Sequence, residues 1–332
     1  MVMLFFLLNG LRQMTASTYD IVLLTQRDYV NPIEITPYID NVLTEDRLLT
    51  EALEQRGLRV ARTFWDNSDF DWNSTQFALF RATWDYFHRF AEFHQWLNRM
   101  SRKVQFINPY SIIRWNMDKH YLGILHDRGV NIPPTIFLEQ GNNTSLNHLL
   151  VQTGWTKAIL KPAIAGAARH TYLFDASNVN EHELIFQKLI AEEALLLQEF
   201  QSQIVTRGEV SFMVFGGKYS HSVLKQVKEG DFRVQDDFGG TVHSYAASVE
   251  EINFVERVIA QCDELPVYAR ADVMWDNNNE LCLSELEMIE PELWFRRDPE
   301  SSALMADAVC HYMRHSIAER GEKNKVTSSL VY

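Results

Sequence analysis

Carboxylates are concentrated in the segment LCLSELEMIEPELWF, which spans residues 281–295. Glu285 and Glu287 alternate with Leu286 and Met288, and neighbouring side chains of a strand point to opposite faces, so the two glutamates should share one face. A half-exposed strand with an acidic, solvated face is the simplest interpretation of such a pair. The segment that precedes it favours a functional interpretation.

The preceding segment VYARADVMW predicts a second strand, and the polar residues after it predict a hairpin turn. With Asn277–Glu280 as a four-residue loop, antiparallel pairing sets Asp272 opposite Glu285 and Arg270 opposite Glu287. Like charges on opposed residues repel, so the facing carboxylates need a cation. Oxygen ligands favour Mg²⁺ or Mn²⁺ over zinc, and Mg²⁺ commonly completes its shell with substrate phosphates. We therefore predict a metal and nucleotide site on this hairpin.

The overall composition is that of a globular protein. The chain has 332 residues, of which 46% are hydrophobic and 23% charged, enough for two or three small domains. A net charge of −13 argues against nucleic-acid or anionic-membrane partners and favours small molecules. Cys262, Cys282 and Cys310 form no CxxC pattern, so we expect buried thiols in a reducing, cytoplasmic setting rather than disulfides or a zinc site.

The N-terminal run MVMLFFLLNGLRQM is apolar but short. It is too short to span a bilayer, and it lacks the charged region that begins a signal peptide. We expect residues 1–13 to precede the true start and residues 1–18 to lie outside the folded domains as a disordered extension. The fold should begin near Tyr19.

Residues 19–108 show alternating strand and helix patterns, which is typical of an α/β domain. The predicted strands are Ile21–Leu24, Leu58–Thr63, Phe77–Arg81 and Val104–Ile107. Apolar residues recur at helical spacing in EDRLLTEALEQRG, which ends at Gly57, and in FHRFAEFHQWLNRM. We predict a small, mainly parallel sheet flanked by helices. Neither GxGxxG nor GxxxxGK[ST] occurs in this range, so no common phosphate loop is indicated.

Two lysines in the central part of the chain are candidates for phosphate binding. In NPYSIIRWNMDKHYL, Asn116 is predicted to cap a helix whose first turn holds Lys119, although a lysine there is usually a solvated surface residue. The segment KAILKPAIAGAARHTYLF predicts strand, small-residue loop and strand, with Lys161 near the end of the first strand and Gly166 in the loop. Such a loop can lay backbone N–H groups over phosphates, although similar turns are common without that role.

The order of the remaining segments is more specific than any one of them. After a helical pattern come LLLQEF, a hairpin turning at Gly216–Gly217 in RGEVSFMVFGGKYSHSVLKQV, the polar loop GDFRVQDDFGGTVHSY with Arg233, and the acidic hairpin. Over residues 108–315 this order resembles the ATP-grasp superfamily. NPYSIIRWNMDKHYL, DFRVQDDFGG and ELEMIEPELWF resemble the branch that contains the D-cycloserine-forming ligase and relatives of glutathione synthetase.

The resemblance implies an α/β ATP-grasp fold, in which an N-terminal Rossmann-like pre-ATP-grasp domain precedes two α+β subdomains that clamp ATP. The implied domains are 19–108, the pre-ATP-grasp domain; 109–200, the first subdomain with the central linker helix and phosphate flap; 201–318, the second subdomain with the metal site; and 319–332, a tail.

The resemblance also implies roles for single residues. The ATP-binding set is Lys119 and Lys161 on the phosphates, Gly166 in the flap, Gln198, Glu199 and Phe200 in the adenine hinge, and Glu209 on the ribose. Arg233 should face the transferred phosphoryl group and act in catalysis with Lys161. The implied metal ligands are Asp272, Glu285 and Glu287.

The sequence differs from the ATP-grasp proteins that it resembles at two places in the expected site. The flap has one glycine among alanines, which predicts a stiffer loop. Glu287 stands where many relatives have Asn, which predicts tighter cation binding.

The resemblance further implies an activity that needs ATP and two Mg²⁺ or Mn²⁺ ions. A substrate carboxylate would become an acyl phosphate, and an amine would displace the phosphate, so the expected enzyme is a carbon–nitrogen ligase for small amino-acid-like substrates, ring-closing variants included. An ATP-grasp small-molecule kinase is the alternative, and would leave a stable phosphorylated product. A non-catalytic nucleotide-binding protein is a third, and would be expected to lack some of the residues that this chain keeps. A homodimer is left open.

The acceptor pocket is the least defined part of the site. Arg81, Arg114 and Arg270 are candidates for binding a substrate carboxylate, because a guanidinium suits bidentate contacts. A structural ion pair is an equally good interpretation of Arg81 and Arg114. The aromatic candidates for the pocket wall are Trp84, Trp115 and Trp294, with burial in the core as the simpler alternative.

Overall fold

A computed structural model describes residues 18–228, 230–231 and 239–329, and the side chains up to residue 320. The predictions for the N-terminal extension and for Arg233 therefore fall outside the described residues. No helix in the described part of the chain is long and apolar enough to cross a membrane. Cys282 and Cys310 are buried free thiols as expected, whereas the free thiol of Cys262 is partly exposed.

The N-terminal part is a four-stranded parallel sheet with the order β2-β1-β3-β4, as the strand pattern predicts. Its strands are β1 Ile21–Thr25, β2 Val60–Phe64, β3 Phe77–Phe80 and β4 Gln105–Ile107, and its helices are α1 Pro37–Glu54 and α2 Phe90–Met100, with 3-10 turns at Arg27–Tyr29 and Tyr86–His88. Helix α1 begins earlier than predicted because the Thr36 side chain accepts a hydrogen bond from the Ile39 N–H and Pro37 occupies the first turn.

The central part is a four-stranded antiparallel sheet with the order β5-β8-β6-β7. Its strands are β5 Thr135–Leu138, β6 Lys157–Pro162, β7 Tyr172–Asp175 and β8 Leu195–Glu199, and its helices are α3 Tyr110–Asn116, α4 Tyr121–Asp127, α5 Leu146–Thr153 and α6 Val179–Glu192. Helices α5 and α6 cover one face and bury a separate apolar core around Phe174 and Phe186. Lys161 lies near the end of β6, as predicted.

The C-terminal part is a five-stranded antiparallel sheet with the order β11-β10-β9-β12-β13. Its strands are β9 Glu209–Phe215, β10 Lys218–Gln226, β11 Thr241–Tyr245, β12 Tyr268–Trp275 and β13 Leu281–Glu287, and its helices are α7 Gln203–Arg207, α8 Val249–Ala260 and α9 Ser301–Ser329. Every residue of the central strand β9 is buried. The hairpin turn predicted at Gly216–Gly217 joins β9 and β10.

The acidic hairpin has the predicted pairing, Asp272 opposite Glu285 and Arg270 opposite Glu287. The route to this register differs from the prediction. The loop runs from Asp276 to Glu280, one residue earlier at its start, and a β-bulge leaves Ser284 as an extra residue on β13. The bulge compensates for the longer loop, so the acidic ends of the two strands are again in register.

Strand β13 is the edge of its sheet, and side chains from α3 and α4 cover its outer backbone. The Tyr121 hydroxyl accepts from the Leu286 N–H at 2.9 Å, and Asn116 donates to the Leu286 carbonyl and accepts from the Met288 N–H, both at 2.7 Å. The prediction that Asn116 caps a helix is wrong, because Asn116 ends α3 and its amide satisfies this edge instead. Lys119 consequently lies in the turn between the two helices.

The irregular segment after β13 is fixed by hydrogen bonds to its carbonyl groups. Each carbonyl from Met288 to Leu293 accepts a bond from the side chain of another element. The donors, in order, are Asn108 Nδ2, Tyr268 Oη, Trp84 Nε1, Arg81 Nη1, Arg270 Nη1 and His221 Nε2, at 2.8, 2.6, 2.9, 3.4, 3.5 and 2.8 Å. The donors come from both the N-terminal and the C-terminal sheet regions, so this segment joins the two.

Replacing Asn116 should test how far the fold depends on the covered edge. Asn116→Ala leaves the Leu286 carbonyl and the Met288 N–H unpaired in a buried place, and we expect a loss of about 2–4 kcal/mol in the free energy of unfolding. Urea denaturation measures it. Asn147→Ala, on the exposed face of α5, is the matched control and should change the value by less than about 0.5 kcal/mol. Equal losses in the two variants would contradict the assignment.

Candidate active site

A cleft of about 1500 Å³, its open mouth included, is lined by the central and C-terminal sheets and by aromatic residues of the N-terminal part. The cleft brings together most of the residues that the sequence singles out. They are Lys119, Lys161, Gly166, Gln198, Glu199, Phe200, Glu209, Arg270, Asp272, Glu285 and Glu287. Arg81 and Arg114 do not line it, and Arg233 lies outside the described residues.

Asp272 is the most firmly held carboxylate of the cleft. It accepts from Arg270 Nε and Nη2, both at 2.9 Å, and from Ser211 Oγ at 2.5 Å, and Lys225 Nζ lies 3.2 Å away. Burial opposes its charge, but Arg270 and Lys225 outweigh burial and hold the pKa of Asp272 below its ordinary value. Asp272 is therefore a charged, immobile acceptor at the centre of β12.

The two glutamates of β13 differ in their cation partners. Lys119 Nζ lies 2.8 Å from Glu285 and also donates to the Ala165 carbonyl at 2.5 Å. Burial would raise the pKa of Glu285, but the charges of Lys119 and Lys161 lower it. Glu287 pairs with Arg270, yet burial and the charges of the neighbouring carboxylates raise its pKa. One face of the hairpin thus carries carboxylates of unequal acidity.

Lys225 is a functional candidate that sequence reasoning missed. It is buried, pairs with Glu209 at 2.6 Å, and lines the cleft. Burial lowers the pKa of Lys225, but Asp272 and Glu209 outweigh burial and raise it, so the lysine stays charged. One carboxylate oxygen of Glu209, the expected ribose ligand, is consequently committed to this pair.

Lys161 is a cation of the cleft for which the described residues provide no partner. Within the described residues its ammonium group makes no ion pair or hydrogen bond, whereas Lys119, Lys225 and Arg270 each do. Burial lowers the pKa of Lys161, although Glu285 acts in the opposite direction. A partly buried, unpaired ammonium group beside a loop is suited to an anionic ligand.

The loop between β6 and β7, residues 163–171, is braced on both sides. Arg169 donates to Glu193 at 2.5 Å and to the Ile164 carbonyl at 3.0 Å. Ala167, Ala168 and His170 adopt positive φ values of 48°, 53° and 51°, which glycine would adopt without strain. The strain and the bracing are consistent with a stiff flap, which remains a prediction.

The hinge after β8 offers fewer free backbone groups than the resemblance implies. The Glu199 N–H donates to the Pro134 carbonyl at 2.9 Å, and the Phe200 N–H donates to the Lys157 carbonyl at 3.1 Å. Gln201 is buried, lines the cleft, and its N–H has no partner among the described residues. Gln201, which the sequence pattern did not single out, is therefore the available backbone donor at this end of the cleft.

The three arginines predicted for the acceptor pocket differ in their position and in their partners. Arg81 is buried, with Asp46 at 3.7 Å, and donates to the Pro291 carbonyl, contacts that match the alternative of a structural ion pair. Arg114 is exposed and lies over the ring of Tyr110. Arg270 lines the cleft but is bound to Asp272 and Glu287.

The three tryptophans also differ. Trp84 lines the cleft. Trp115 packs on the apolar core, and Trp294 is buried beneath Arg270 and Lys225.

Asp272, Glu285 and Glu287 are the carboxylates that could hold a metal ion. Among the described residues, no group of three or more His, Cys, Asp or Glu side chains is arranged to hold a metal ion. Arg270 is paired with both Asp272 and Glu287, and Lys119 is paired with Glu285. The carboxylate oxygens of Asp272, Glu285 and Glu287 are still of the type that Mg²⁺ prefers as ligands. The three side chains also face one cleft from adjacent strands.

The chain is similar to known proteins over most of its length. Residues 21–108 match the family model of the N-terminal domain of D-cycloserine synthetase DcsG. The cycloserine biosynthesis protein DcsG of Streptomyces lavendulae is 23% identical over 281 residues, which cover 80% of this chain and 93% of that protein. A crystal structure of D-cycloserine synthetase DcsG has a TM-score of 0.78 at 22% identity, covering 88% of this chain and 99% of the other. The ATP-grasp ligase PsnB, complexed with a minimal precursor, Mg and ADP, has a TM-score of 0.58 at 13% identity, with 90% and 99% covered. The chain has the ATP-grasp fold.

Within this ATP-grasp fold, the matched N-terminal range coincides with the parallel sheet, since β1 begins at Ile21 and β4 ends at Ile107. This part also supplies Trp84 and Phe87 to the cleft. Identities of this size establish the fold, and the domain boundaries and residue roles remain predictions.

Gly166, in the loop between β6 and β7, lies close to Phe87 of the N-terminal part. A Cβ atom at Gly166 would lie 2.6 Å from Cε1 of Phe87, so an added methyl group must displace the ring or the loop. We expect Gly166→Ala to raise hydrogen–deuterium exchange in residues 163–171 without changing exchange in β9, because overpacking costs about 1–3 kcal/mol and the loop can move. Mass spectrometry measures both segments.

The double variant Gly166→Ala, Phe87→Leu is the control for this contact. Its loop should exchange no faster than that of Phe87→Leu alone, because the ring that the methyl group meets is gone. Unchanged exchange in the single variant Gly166→Ala would show that the contact does not hold the loop.

Proposed function

We propose that this protein is an ATP-dependent ligase that forms a carbon–nitrogen bond between a small carboxylate and an amine. The observation that carries the proposal is the pairing, in one cleft of an ATP-grasp fold, of the unpartnered Lys161 with the carboxylate face of the β12–β13 hairpin. The unpartnered cation suits a polyphosphate, and the carboxylates suit the cation that accompanies it.

The ATP phosphates are assigned to the cationic wall of the cleft. Lys161 binds them directly, while Lys119 and Arg270 share their charge between phosphates and the carboxylates that hold them in place. Residues 163–171, with Gly166, cover the phosphates with backbone N–H groups. The adenine lies at the hinge formed by Gln198, Glu199 and Phe200, where the Gln201 N–H is the free donor, and Glu209 faces the ribose with its second oxygen.

Mg²⁺ would be held by Asp272, Glu285 and Glu287. Bound there, it would neutralise the charge of the transferring phosphoryl group. The structure of PsnB with Mg and ADP supports this assignment for a protein of the same fold. Lys119 keeps Glu285 charged, and Arg270 with Lys225 keeps Asp272 charged, which the ligation of a metal requires.

The proposed chemistry has two steps. A carboxylate oxygen of the substrate attacks the γ-phosphorus of ATP, the bond to the bridging oxygen breaks, and ADP leaves. The amine nitrogen then attacks the carbonyl carbon of the acyl phosphate, phosphate leaves, and the nitrogen loses its proton to solvent. The protein supplies positioning and charge, with Lys161 and Arg270 in the cleft and Arg233 assigned to the phosphoryl group from the family resemblance.

The proposal covers ring closure as well as joining two molecules. Because a relative is named a D-cycloserine synthetase, the amine and the acyl phosphate are allowed to belong to one substrate. We place the enzyme in the cytoplasm, where ATP is available and free thiols persist.

The direct test is a substrate screen. Amino acids and amines, singly and in pairs, are incubated with ATP, and release of ADP and phosphate is scored with Mg²⁺ present and after its removal by EDTA. A ligase should release both products only when a carboxylate and an amine are present together or in one molecule, and only with Mg²⁺. ADP release with a stable phosphorylated product and no need for an amine would support the kinase alternative instead. No release with any pair would favour a non-catalytic nucleotide-binding protein.

Lys161→Met tests the phosphate assignment. The variant removes one charge-assisted contact, so we expect ATP binding to weaken by about 2–3 kcal/mol. Calorimetric titration with a non-hydrolysable ATP analogue and Mg²⁺ measures it. Lys157→Met is the matched control, because Lys157 lies at the exposed start of the same strand and should bind nucleotide like the unmodified protein. Nucleotide affinity unchanged in Lys161→Met would remove this lysine from the site.

A further inference from the structure

Glu290 carries a carboxylate in the cleft that the proposed chemistry does not use. Within the described residues it makes no ion pair, and the donor near its carboxylate is its own backbone N–H. Its neighbour Glu292, by contrast, is paired with Arg296 at 2.6 Å. Burial and the nearby charge of Glu287 raise the pKa of Glu290, so its ionised form needs a ligand of opposite charge as its partner.

The backbone of Glu290 is held rigidly, so the carboxylate is aimed rather than free to turn away. Trp84 donates to the Glu290 carbonyl at 2.9 Å, and the carbonyls on either side accept from Tyr268 and Arg81. Pro291 follows directly and restricts the chain further. Functional groups placed on such fixed backbone select their ligands by position as well as by charge.

Aromatic rings line the same cleft as this carboxylate. Trp84, Tyr38 and Phe87 all line the cleft, and the centroids of the Tyr38 and Trp84 rings lie 6.1 Å apart. Aromatic faces attract cations, and the attraction grows when water is excluded. A cleft that is lined by an unpaired carboxylate and by several rings is suited to an ammonium group.

The cations of the cleft are Lys119, Lys161, Lys225 and Arg270, and we call them the cationic wall, although three of them are paired with carboxylates. Glu290 lines the same cleft, and the charges of Lys119 and Arg270 act on it without forming an ion pair. We propose that Glu290, with Trp84, Tyr38 and Phe87, forms a subsite for the ammonium group of an amino-acid-like substrate, whose carboxylate then faces the cationic wall. This proposal rests on the proposed ligase function for the identity of the cationic wall, and it concerns recognition of the substrate, not the transfer steps.

The test measures binding without turnover. The protein is saturated with a non-hydrolysable ATP analogue and Mg²⁺, and the common amino acids in both configurations, each with its N-acetyl derivative, are titrated by ligand-observed NMR. At least one free amino acid should bind, and its N-acetyl derivative should not. Glu290→Gln should weaken binding of that amino acid by about tenfold or more, the range expected for losing a charge-assisted hydrogen bond, and Glu290→Asp should recover part of the loss.

Glu292→Gln is the control, because its carboxylate lies in the same cleft but is already paired. It should bind the amino acid within about twofold of the unmodified protein, the effect expected of a carboxylate whose charge is already neutralised. Equal weakening in Glu292→Gln and Glu290→Gln, binding of the N-acetyl forms, or no binding of any free amino acid would overturn the proposal. The affinity for the ATP analogue and the melting temperature are measured in every variant. If the variants keep their affinity for the ATP analogue and their melting temperature but do not show the expected amino-acid binding, the subsite is wrong and the ligase proposal stands. If the ATP analogue does not bind the unmodified protein, the ligase proposal fails.

Discussion

The geometry of the cleft depends on one demand, that the buried carbonyl groups of residues 288–293 find hydrogen-bond donors. The segment is irregular, so no neighbouring strand can supply them, and an unpaired buried carbonyl costs about 1–3 kcal/mol. Side chains from the N-terminal part, among them Asn108 and Trp84, and from the C-terminal sheet, among them Tyr268 and His221, meet the demand together. Because the donors come from both parts, the same bonds that satisfy the segment also orient the parallel sheet over the cleft. The position of Glu290 follows from this orientation.

Charge balance is the second constraint on the cleft. Carboxylates on adjacent strands stay ionised in a buried place only when cations are close, and here Arg270 and Lys225 serve Asp272 while Lys119 serves Glu285. These pairs hold the side chains in fixed positions before any ligand arrives, which reduces the entropy lost on binding. The charged groups left over are informative for the same reason. Among the described residues that line the cleft, the ionisable side chains of Lys161, Glu199 and Glu290 make no ion pair, and each lies where a ligand group is proposed.

Much of this arrangement could be predicted from sequence, because strand alternation and hairpin pairing are local rules. These rules predicted the parallel sheet, the hairpin of β6 and β7, and the pairing of Asp272 with Glu285. Beta-bulges are not visible in such patterns. The bulge at Ser284 cancelled an error in the loop length, whereas the bulge at Ser220 set Lys225 rather than Leu224 opposite Glu209, so the lysine was missed.

The wrong role predicted for Asn116 has a different origin from the missed bulges. Helix capping is decided within a few residues, but here a distant strand edge offered the amide two hydrogen bonds. The free N–H of Gln201 escaped prediction for a similar reason. It could be recognised only once the partners of the hinge residues on either side were known.

Phe87 contacts the loop that is proposed to cover the ATP phosphates and also lines the cleft that is proposed to bind the acceptor. Its ring packs against Gly166, the glycine of the flap, and it also lines the cleft beside the aromatic residues near Glu290. The flap and the acceptor subsite therefore share a wall, and the shape of one depends on the position of the other. An acyl phosphate is hydrolysed readily if water reaches it, so a ligase gains from completing the acceptor wall and covering the phosphates with the same contact. The alanines at positive φ and the brace between Arg169 and Glu193 fit this arrangement, because a loop with few conformations of its own closes in one position against that ring.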